Sequence, residues 1–360
     1  MQILKHVKPV HYMLLALPAV LIAELMHADP ILLFGLACAG LIPLASLIGE
    51  ATEALAHVTG PRIGGLLNAT LGNAAELIIT IVAINAGLLD LVKASITGSI
   101  IGNLLLVMGA SLLLGGLKNG TQHFTRSHVS NNATMLVLAV VALTIPSLLN
   151  HTLEGEILPI ATLENISLGV AVVMIVLYAL GLWFAFKGIK SGGALAHAGG
   201  AESEAPAWSV NLSLVVLAGA TLATVWLSEV LVGEVEAVTA QFGLSEFFIG
   251  IILVPLIGNV AEHLVAVQVA IKNQMDLSLE IALGSSLQIA LFVAPVLVFV
   301  ALLFGEQLTL VFNQFELVAL VASVLITSLV ASDGETNWLE GAQLVSVYLI
   351  LGVVFFFIPG

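Results

Sequence analysis

A short polar motif occurs twice in long apolar surroundings. It reads GNAAEL at Gly72–Leu77 and GNVAEH at Gly258–His263, and the second copy follows the first by 186 residues. An ionisable carboxylate inside a membrane-length apolar segment is costly, and it therefore marks a functional site by default. Glu76 and Glu262 are the first residues of this chain for which a chemical role has to be sought.

If the two motifs were in contact, the two glutamates would lie close together and their charges would have to be neutralised together. Glu76 lies about 21 Å along a helix from Arg62, and Glu262 lies about 15 Å from the next basic residue, so both fall near mid-bilayer. Two facing carboxylates in a low-dielectric site cannot both stay ionised without a bound cation, because burial and mutual repulsion disfavour the doubly charged pair. Protons or one divalent cation would neutralise them. Ca²⁺ fits an oxygen-rich, flexible site, and mutually exclusive occupancy by protons or the cation would itself be an exchange mechanism.

Polar neighbours extend the candidate metal site. Asn73 and Asn259 precede the glutamates by three residues, which places them on the same helical face. They would add oxygen ligands, or they would instead form hydrogen bonds between helices. A kink at the glycines, with Pro255 in the second copy, would free backbone carbonyls for an ion.

A second polar patch repeats at the same spacing, at Gly98–Asn103 and Gly284–Gln288. The glycines that open it, Gly98 and Gly284, are expected to permit close helix packing. Its polar side chains are candidates for proton transfer or gating, and each would serve equally well as a helix–helix hydrogen bond. They are Ser99, Asn103, Ser285 and Gln288.

Two further groups of side chains have both a functional and a structural interpretation. His263 has Leu77 as its counterpart, and a histidine beside an ion-binding carboxylate would shuttle protons or gate entry. A hydrogen-bonded helix histidine is the alternative. Acidic residues near predicted span ends would form an electrostatic funnel for cations or simply solvated helix ends. They are Glu50, Glu53, Glu234 and Glu236.

The composition identifies the setting of these residues. The chain is 59% hydrophobic and only 9% charged, and its repeated apolar runs are long enough to cross a bilayer. The net charge is −14, and many of the acids lie at predicted membrane mouths or within spans, which suits a cation partner and argues against nucleic acid. The single cysteine, Cys38, excludes an intramolecular disulfide. The first apolar run resembles a signal peptide but lacks a small-residue cleavage site, so we predict an uncleaved span.

The apolar runs and turn signals predict an all-α integral membrane protein with about eleven transmembrane helices. We divide the chain into an N-terminal helix (1–28), a first five-helix repeat (29–190), a cytoplasmic linker (191–207) and a second five-helix repeat (208–360). The spans are predicted at about 9–27, 30–57, 61–88, 90–117, 129–149, 163–187, 208–240, 245–271, 277–304, 315–332 and 339–358.

Orientation follows from the basic residues. With a cytoplasmic N-terminus, eight of the nine lysines and arginines fall inside and only Lys93 falls outside, which satisfies the positive-inside rule. An odd number of helices per repeat makes the second copy enter from the opposite side. Inverted repeats with polar interruptions at matching positions are typical of secondary transporters.

The motifs resemble those of the calcium/proton exchangers, within the calcium/cation antiporter superfamily. The two signature repeats correspond to Gly64–Leu77 and Pro255–His263, and the companion motifs to Gly98–Asn103 and Gly284–Gln288. This resemblance implies one extra N-terminal helix before two inverted five-helix repeats, with Glu76 as one essential carboxylate. It implies the same role for Glu262.

The chain also departs from the family pattern. The G-T-S-x-P-E signatures of the sodium/calcium branch are absent, which favours coupling to protons. Only Glu202 and Glu204 remain where family members often carry an acidic helix, and Gly102 stands where a serine is common.

These observations predict an antiporter that exchanges Ca²⁺ for H⁺ by alternating access. It would lie in the cell (inner) membrane as a multi-pass protein in contact with the lipid bilayer, and its Ca²⁺ and H⁺ would be cargo rather than cofactors. A homo-oligomer is left open. The alternatives are a Na⁺/Ca²⁺ or Mn²⁺ exchanger, a cation channel or an intramembrane metalloenzyme. Nucleotide-binding and hydrolase motifs are absent, so we predict no enzyme activity.

Overall fold

The computed structural model describes residues 9–152, 159–189 and 208–358. The predicted linker at 191–207, including Glu202 and Glu204, lies outside the described residues. The first half contains a 3₁₀ turn at Pro9–Leu15 and then α1 Ala16–Leu25, α2 Pro30–Leu71, α3 Ala74–Asn85, α4 Leu89–Ile101, α5 Met108–Asn119, α6 Arg126–Thr152 and α7 Ile160–Ile189. The second half contains α8 Val210–Gly233, α9 Val235–Phe242, α10 Glu246–Phe248, α11 Val254–Gly258, α12 Val260–Ile271, α13 Met275–Gln288, α14 Ala294–Phe304, α15 Gln314–Val330 and α16 Trp338–Phe356.

Seven helical runs in the described residues are long and apolar enough to cross a membrane. A bent pair, Glu246–Gly258 and Val260–Ile271 at 60°, gives an eighth if it is one span. The seven runs are Pro30–Gly60, Leu89–Asn119, Val129–Asn150, Ile160–Ala185, Val210–Phe242, Met275–Phe304 and Trp338–Phe356. The chain is thus an α-helical, multi-pass membrane protein. Each predicted span contains a helix, but the count of eleven stays a prediction.

The helices break where the polar motifs lie. In the first half α2 bends at Gly60, whose φ of +82° is open mainly to glycine, and it ends just before the motif. Asn73 (φ −102°, ψ 26°) and Asn259 (φ −107°, ψ 4°) have nearly the same non-helical backbone. The carbonyl oxygen of Asn73 accepts a hydrogen bond from the Leu77 amide at 3.0 Å, so each asparagine begins a new half-helix. The expected kink is present, and the placing of each asparagine on the same helical face as its glutamate stays a prediction.

A π-helical segment overlaps the end of the first companion motif, and another follows the second. These segments are Gly102–Val107 in the first half and Ile289–Val293 in the second, and a third lies at Ile249–Leu253. A π turn accommodates one extra residue and is frequent at functional sites.

Close packing of the helices depends on particular glycines. A methyl group at Gly98 would overlap the backbone of Ile251, and one at Gly250 would lie 2.7 Å from the Leu91 carbonyl oxygen. Gly98 therefore has the packing role predicted for it. Gly284 does not, because a methyl group there would meet nothing within 4 Å.

The described residues contain one sheet, a two-stranded antiparallel ribbon. It pairs β1 Gln122–His123 with β2 Glu335–Thr336, and so joins the loop after α5 to the loop before α16. Helix α5 also packs along α16 and along α12. The loop after α5 is thereby anchored to the second half of the molecule.

Candidate ion-binding site

The two glutamates lie at equivalent places on two short helices. Glu76 is in the first turn of α3 and Glu262 is in the first turn of α12. The N-terminus of a helix carries unpaired amides and partial positive charge, which stabilises a carboxylate there. This local structure offsets part of the cost of placing an acid in an apolar segment.

Contacts between the two motifs bring the carboxylates into one cluster. A methyl group built on Gly258 would lie 2.7 Å from Cγ of Glu76, and one built on Gly72 would lie 3.5 Å from Oε1 of Glu262. The glycine of each motif thus faces the glutamate of the other. Residues 186 positions apart in the sequence therefore form one site.

The carboxylate of Glu76 is held by donors from both halves. Its Oε1 accepts hydrogen bonds from Ser99 Oγ and from Asn259 Nδ2. The side chain is only 2% exposed, and its Oε2 is buried without a hydrogen-bond partner among the described residues. One oxygen is fixed in place, and the other is available to a cation or a proton.

The surroundings of Glu262 are related but not identical. Asn73 donates from Nδ2 to Oε1 of Gln288 at 2.7 Å, and its Oδ1 accepts from Ser285 Oγ at 3.0 Å. Ser285 also lies within hydrogen-bonding reach of the Glu262 carboxyl group. As at Glu76, Oε2 of Glu262 is buried and has no partner in the described part of the chain. Glu262 is partly exposed as a residue, whereas Glu76 is buried.

The cluster presents oxygen atoms of the kinds that bind hard cations in proteins. Carboxylate, amide and hydroxyl oxygens are the ligands that Ca²⁺ and similar cations prefer. Within the described ranges neither Glu76 nor Glu262 makes an ion pair. Two negative charges with two unpaired oxygens would bind one divalent cation, or protons in its place.

The remaining proton or gating candidates fall in different surroundings. Asn103 is 2% exposed, and its Nδ2 has no partner in the described residues. Gln288 is brought into the cluster by Asn73. His263 follows Glu262 in the first turn of α12 and is partly exposed, and its proton-shuttle or gating role stays a prediction. Ser286 only bonds to the carbonyl of Ala282 at 2.9 Å.

The four acidic residues of the predicted cation funnel lie in different surroundings. Glu50 approaches Nε2 of His11 at 3.3 Å and accepts from Ser46 Oγ at 3.1 Å, so the structure gives it local partners. Glu53 and Glu236 are exposed. Glu234 lines a pocket of about 230 Å³ together with two acids that sequence reasoning missed, Glu24 and Glu229.

A further buried carboxylate was also missed. Glu316 is 3% exposed; it accepts from Thr97 Oγ1 at 3.2 Å and from the Asn313 amide at 2.8 Å. Asn313 in turn caps the first turn of α15, which forms a capping box. The spacing of Asn313 and Glu316, N-x-x-E, could have predicted this capping box. The capping box indicates a structural role for Glu316.

The chain is similar to known proteins over nearly its whole length. A family model described as sodium/calcium exchanger protein matches residues 30–187 and 212–357. A Ca²⁺/H⁺ antiporter from Aphanothece halophytica is 46% identical over 360 residues, covering 96% of each chain. The Ca²⁺/H⁺ antiporter ChaA of Bacillus subtilis is 44% identical over 343 residues, covering 94% of this chain and 96% of its own.

A solved structure is also similar to this chain over nearly its whole length. The structure of native YfkE superimposes with a TM-score of 0.84 at 40% identity, over 98% of this chain and 100% of that chain. The family resemblance predicted from the paired motifs is confirmed. The chain belongs to the sodium/calcium exchanger protein family.

Proposed function

We propose that the protein is a secondary antiporter that exchanges Ca²⁺ for H⁺, with Glu76 and Glu262 as the shared binding groups. The observation that carries the proposal is the meeting of the two motifs, in which Asn259 donates to Glu76 and each glycine faces the opposite glutamate. The two antiporters similar over nearly the whole chain are named for the same pair of ions, which supports this choice of substrates.

The exchange would depend on competition for one pair of carboxylates. Ca²⁺ would take the two unpaired Oε2 atoms and draw on neighbouring amide and hydroxyl oxygens. Protons on the same carboxylates would remove the negative charge that holds the cation. Charge balance then gives at least two protons for each Ca²⁺. The bound cation is cargo, so the site must bind it weakly enough to release it on the other side.

The proposed architecture is one N-terminal helix followed by two inverted five-helix repeats, giving about eleven spans. The matching helix breaks at Asn73 and Asn259 support it, as do the π segments at the ends of both companion motifs. The family model also matches the chain in two segments, on either side of the predicted linker. Broken helices at matching depths are the usual setting of alternating access in such transporters.

The proposed orientation places the N-terminus in the cytoplasm of a cell whose inner membrane holds the protein. The distribution of lysine and arginine supports it. Lys93, which alone falls outside, pairs with Asp90 at 2.7 Å, so its charge is partly compensated. With an inward proton force, the direction of transport would be Ca²⁺ efflux.

Flux in proteoliposomes tests the choice of driving ion. Ca²⁺ uptake should follow an imposed pH gradient and should not respond to a Na⁺ gradient at fixed pH. Uptake driven by Na⁺ would instead assign a sodium/calcium exchanger. Current without a counter-ion would assign a channel, and uptake of Mn²⁺ in preference to Ca²⁺ would change the cargo.

Two adjacent serines in α13 provide a test of the ligand arrangement. Ser285→Ala removes the hydroxyl that donates to Asn73 and faces Glu262, whereas Ser286→Ala removes one that only bonds its own helix. A net hydrogen bond contributes about 0.5–1.5 kcal/mol. Ser285→Ala should therefore raise the Ca²⁺ concentration for half-maximal uptake about 3- to 10-fold. Ser286→Ala should change it less than about twofold, and equal effects of the two would contradict the assignment.

A further inference from the structure

A cluster of side-chain amides holds the C-terminal end of α12. Asn119 Nδ2 donates to the carbonyl oxygens of Ala270 at 3.3 Å and Ile271 at 3.2 Å. Gln122 Nε2 donates to the Ala270 oxygen at 3.0 Å and to Oδ1 of Asn273 at 2.9 Å. We call Asn119, Gln122 and Asn273 the amide clasp.

The clasp satisfies groups that a helix cannot satisfy itself. The last carbonyls of a helix have no partner within it, and an unpaired buried polar group destabilises the fold. Gln122 is only 1% exposed, so water does not replace its bonds. Asn273 has a positive φ of 63°, a conformation that asparagine tolerates better than most residues.

The other end of α12 carries Glu262. Only eight residues separate Glu262 from Ala270, which is about 12 Å along a helix. A helix of this length moves as a rigid rod, so the clasp at one end constrains the carboxylate at the other. Asn119 ends a helical run that begins at Leu89 and also contains Ser99, the donor to Glu76. One run of chain therefore contacts both halves of the site.

The corresponding end of α3 is arranged differently. Helix α3 ends at Asn85, which is exposed. Its last turn is closed by backbone amides, from Ala86 to the Val82 oxygen at 3.0 Å and from Gly87 to the Ile84 oxygen at 2.9 Å. Equivalent backbone bonds close α12, among them one from Asn273 to the Ala270 oxygen at 3.0 Å. Among the described residues, the side-chain amide donors of the clasp are therefore what distinguishes the end of α12.

We propose that Asn119 and Gln122 are positioning residues that set the place of Glu262 through α12. The inference rests on the proposed function, since it assigns these amides a part in binding the transported ion. Loss of the clasp would let α12 shift and would weaken Ca²⁺ binding at Glu262. The proton competition at the same carboxylate would change with it.

The test uses variants that remove or keep particular hydrogen bonds of the clasp. Gln122→Met keeps the length of the side chain but removes both donated bonds. Asn273→Asp keeps the acceptor for Gln122, whereas Asn273→Gly keeps the positive φ and removes the acceptor. Asn85→Ala is the matched control at the end of α3. Each full-length protein is placed in proteoliposomes, and initial pH-driven Ca²⁺ uptake is measured over a range of Ca²⁺ concentrations and pH, beside thermal unfolding.

We expect Asn273→Gly to raise the apparent KM for Ca²⁺ about 3- to 10-fold, the effect of one net hydrogen bond, and Gln122→Met, which removes two bonds, to raise it at least as much. Their maximal rates should stay within about twofold, and their pH profiles should move. Asn273→Asp and Asn85→Ala should match the wild type.

Three results would overturn the inference. The first is an unchanged KM and pH profile in both clasp variants. The second is a lower unfolding temperature and maximal rate at unchanged KM, which would show a merely structural role. The third is a wild type and Asn85→Ala that show no pH-driven uptake. That result would overturn the proposed function as well. It differs from a failure of the clasp alone because it is seen in proteins whose clasp is intact.

Discussion

Glu76→Gln and Glu262→Gln should each reduce pH-driven Ca²⁺ uptake by at least about 100-fold, because each removes one of the two charges that bind the cation in a low-dielectric site. Glutamine keeps the shape of glutamate. In Glu76→Gln the amide oxygen still accepts from Ser99 and Asn259, and the amide nitrogen replaces the oxygen that has no partner. The packing is therefore retained while the charge is lost.

The measurement is initial ⁴⁵Ca²⁺ uptake into proteoliposomes under an imposed pH gradient. Glu335→Gln serves as the control, since that exposed side chain lies in the β2 strand, where it approaches His123 at 3.7 Å. Its uptake should equal that of the wild type. Size-exclusion profiles and unfolding temperatures establish that each variant is folded. Normal uptake by either site variant would remove its glutamate from the mechanism.

Gly258→Ala should lower uptake by about tenfold or more. The added methyl group would lie 2.7 Å from Cγ of Glu76, closer than carbon atoms approach without repulsion. Glu76 would have to move away from Ser99 and Asn259, or the two motifs would have to separate. Alanine is a better helix former than glycine, so the backbone of α11 itself would not resist the change.

Gly284→Ala is the matched control for this substitution. Gly284 belongs to the second companion motif, yet a methyl group there would have no neighbour within 4 Å. Its uptake should stay within about twofold of the wild type. Equal rates for Gly258→Ala and Gly284→Ala would show that the close contact between the motifs is not required.

The positions of the polar motifs were predictable because membrane-embedded acids are rare and the repeat places them in register. A kink beside the glycines was predictable because glycine is a poor helix former. The partners of Asn73 were not, because spacing along the chain does not show which residues of the other half it contacts. In the structure they are Gln288 and Ser285.

Bonds across the chain could not be derived from spacing. Asn259 reaches Glu76 over 183 residues, and Gln122 reaches Ala270 over 148. Nothing local marks Asn119 or Gln122, which read as turn residues after an apolar helix. Their meaning depends on the packing of α5 against α12, which arises from the whole bundle. Gly284 likewise looked like a packing glycine, and only its open surroundings show otherwise.

The central claim is that Ca²⁺ and protons compete for one pair of carboxylates. Proton release on addition of Ca²⁺ to the purified, detergent-solubilised protein in weakly buffered solution tests it most directly, beside Ca²⁺ binding measured on the same sample. The wild type should release protons in proportion to the Ca²⁺ bound, most strongly at low pH where the carboxylates start protonated. Ca²⁺ binding by the wild type with no proton release at any pH would contradict the account.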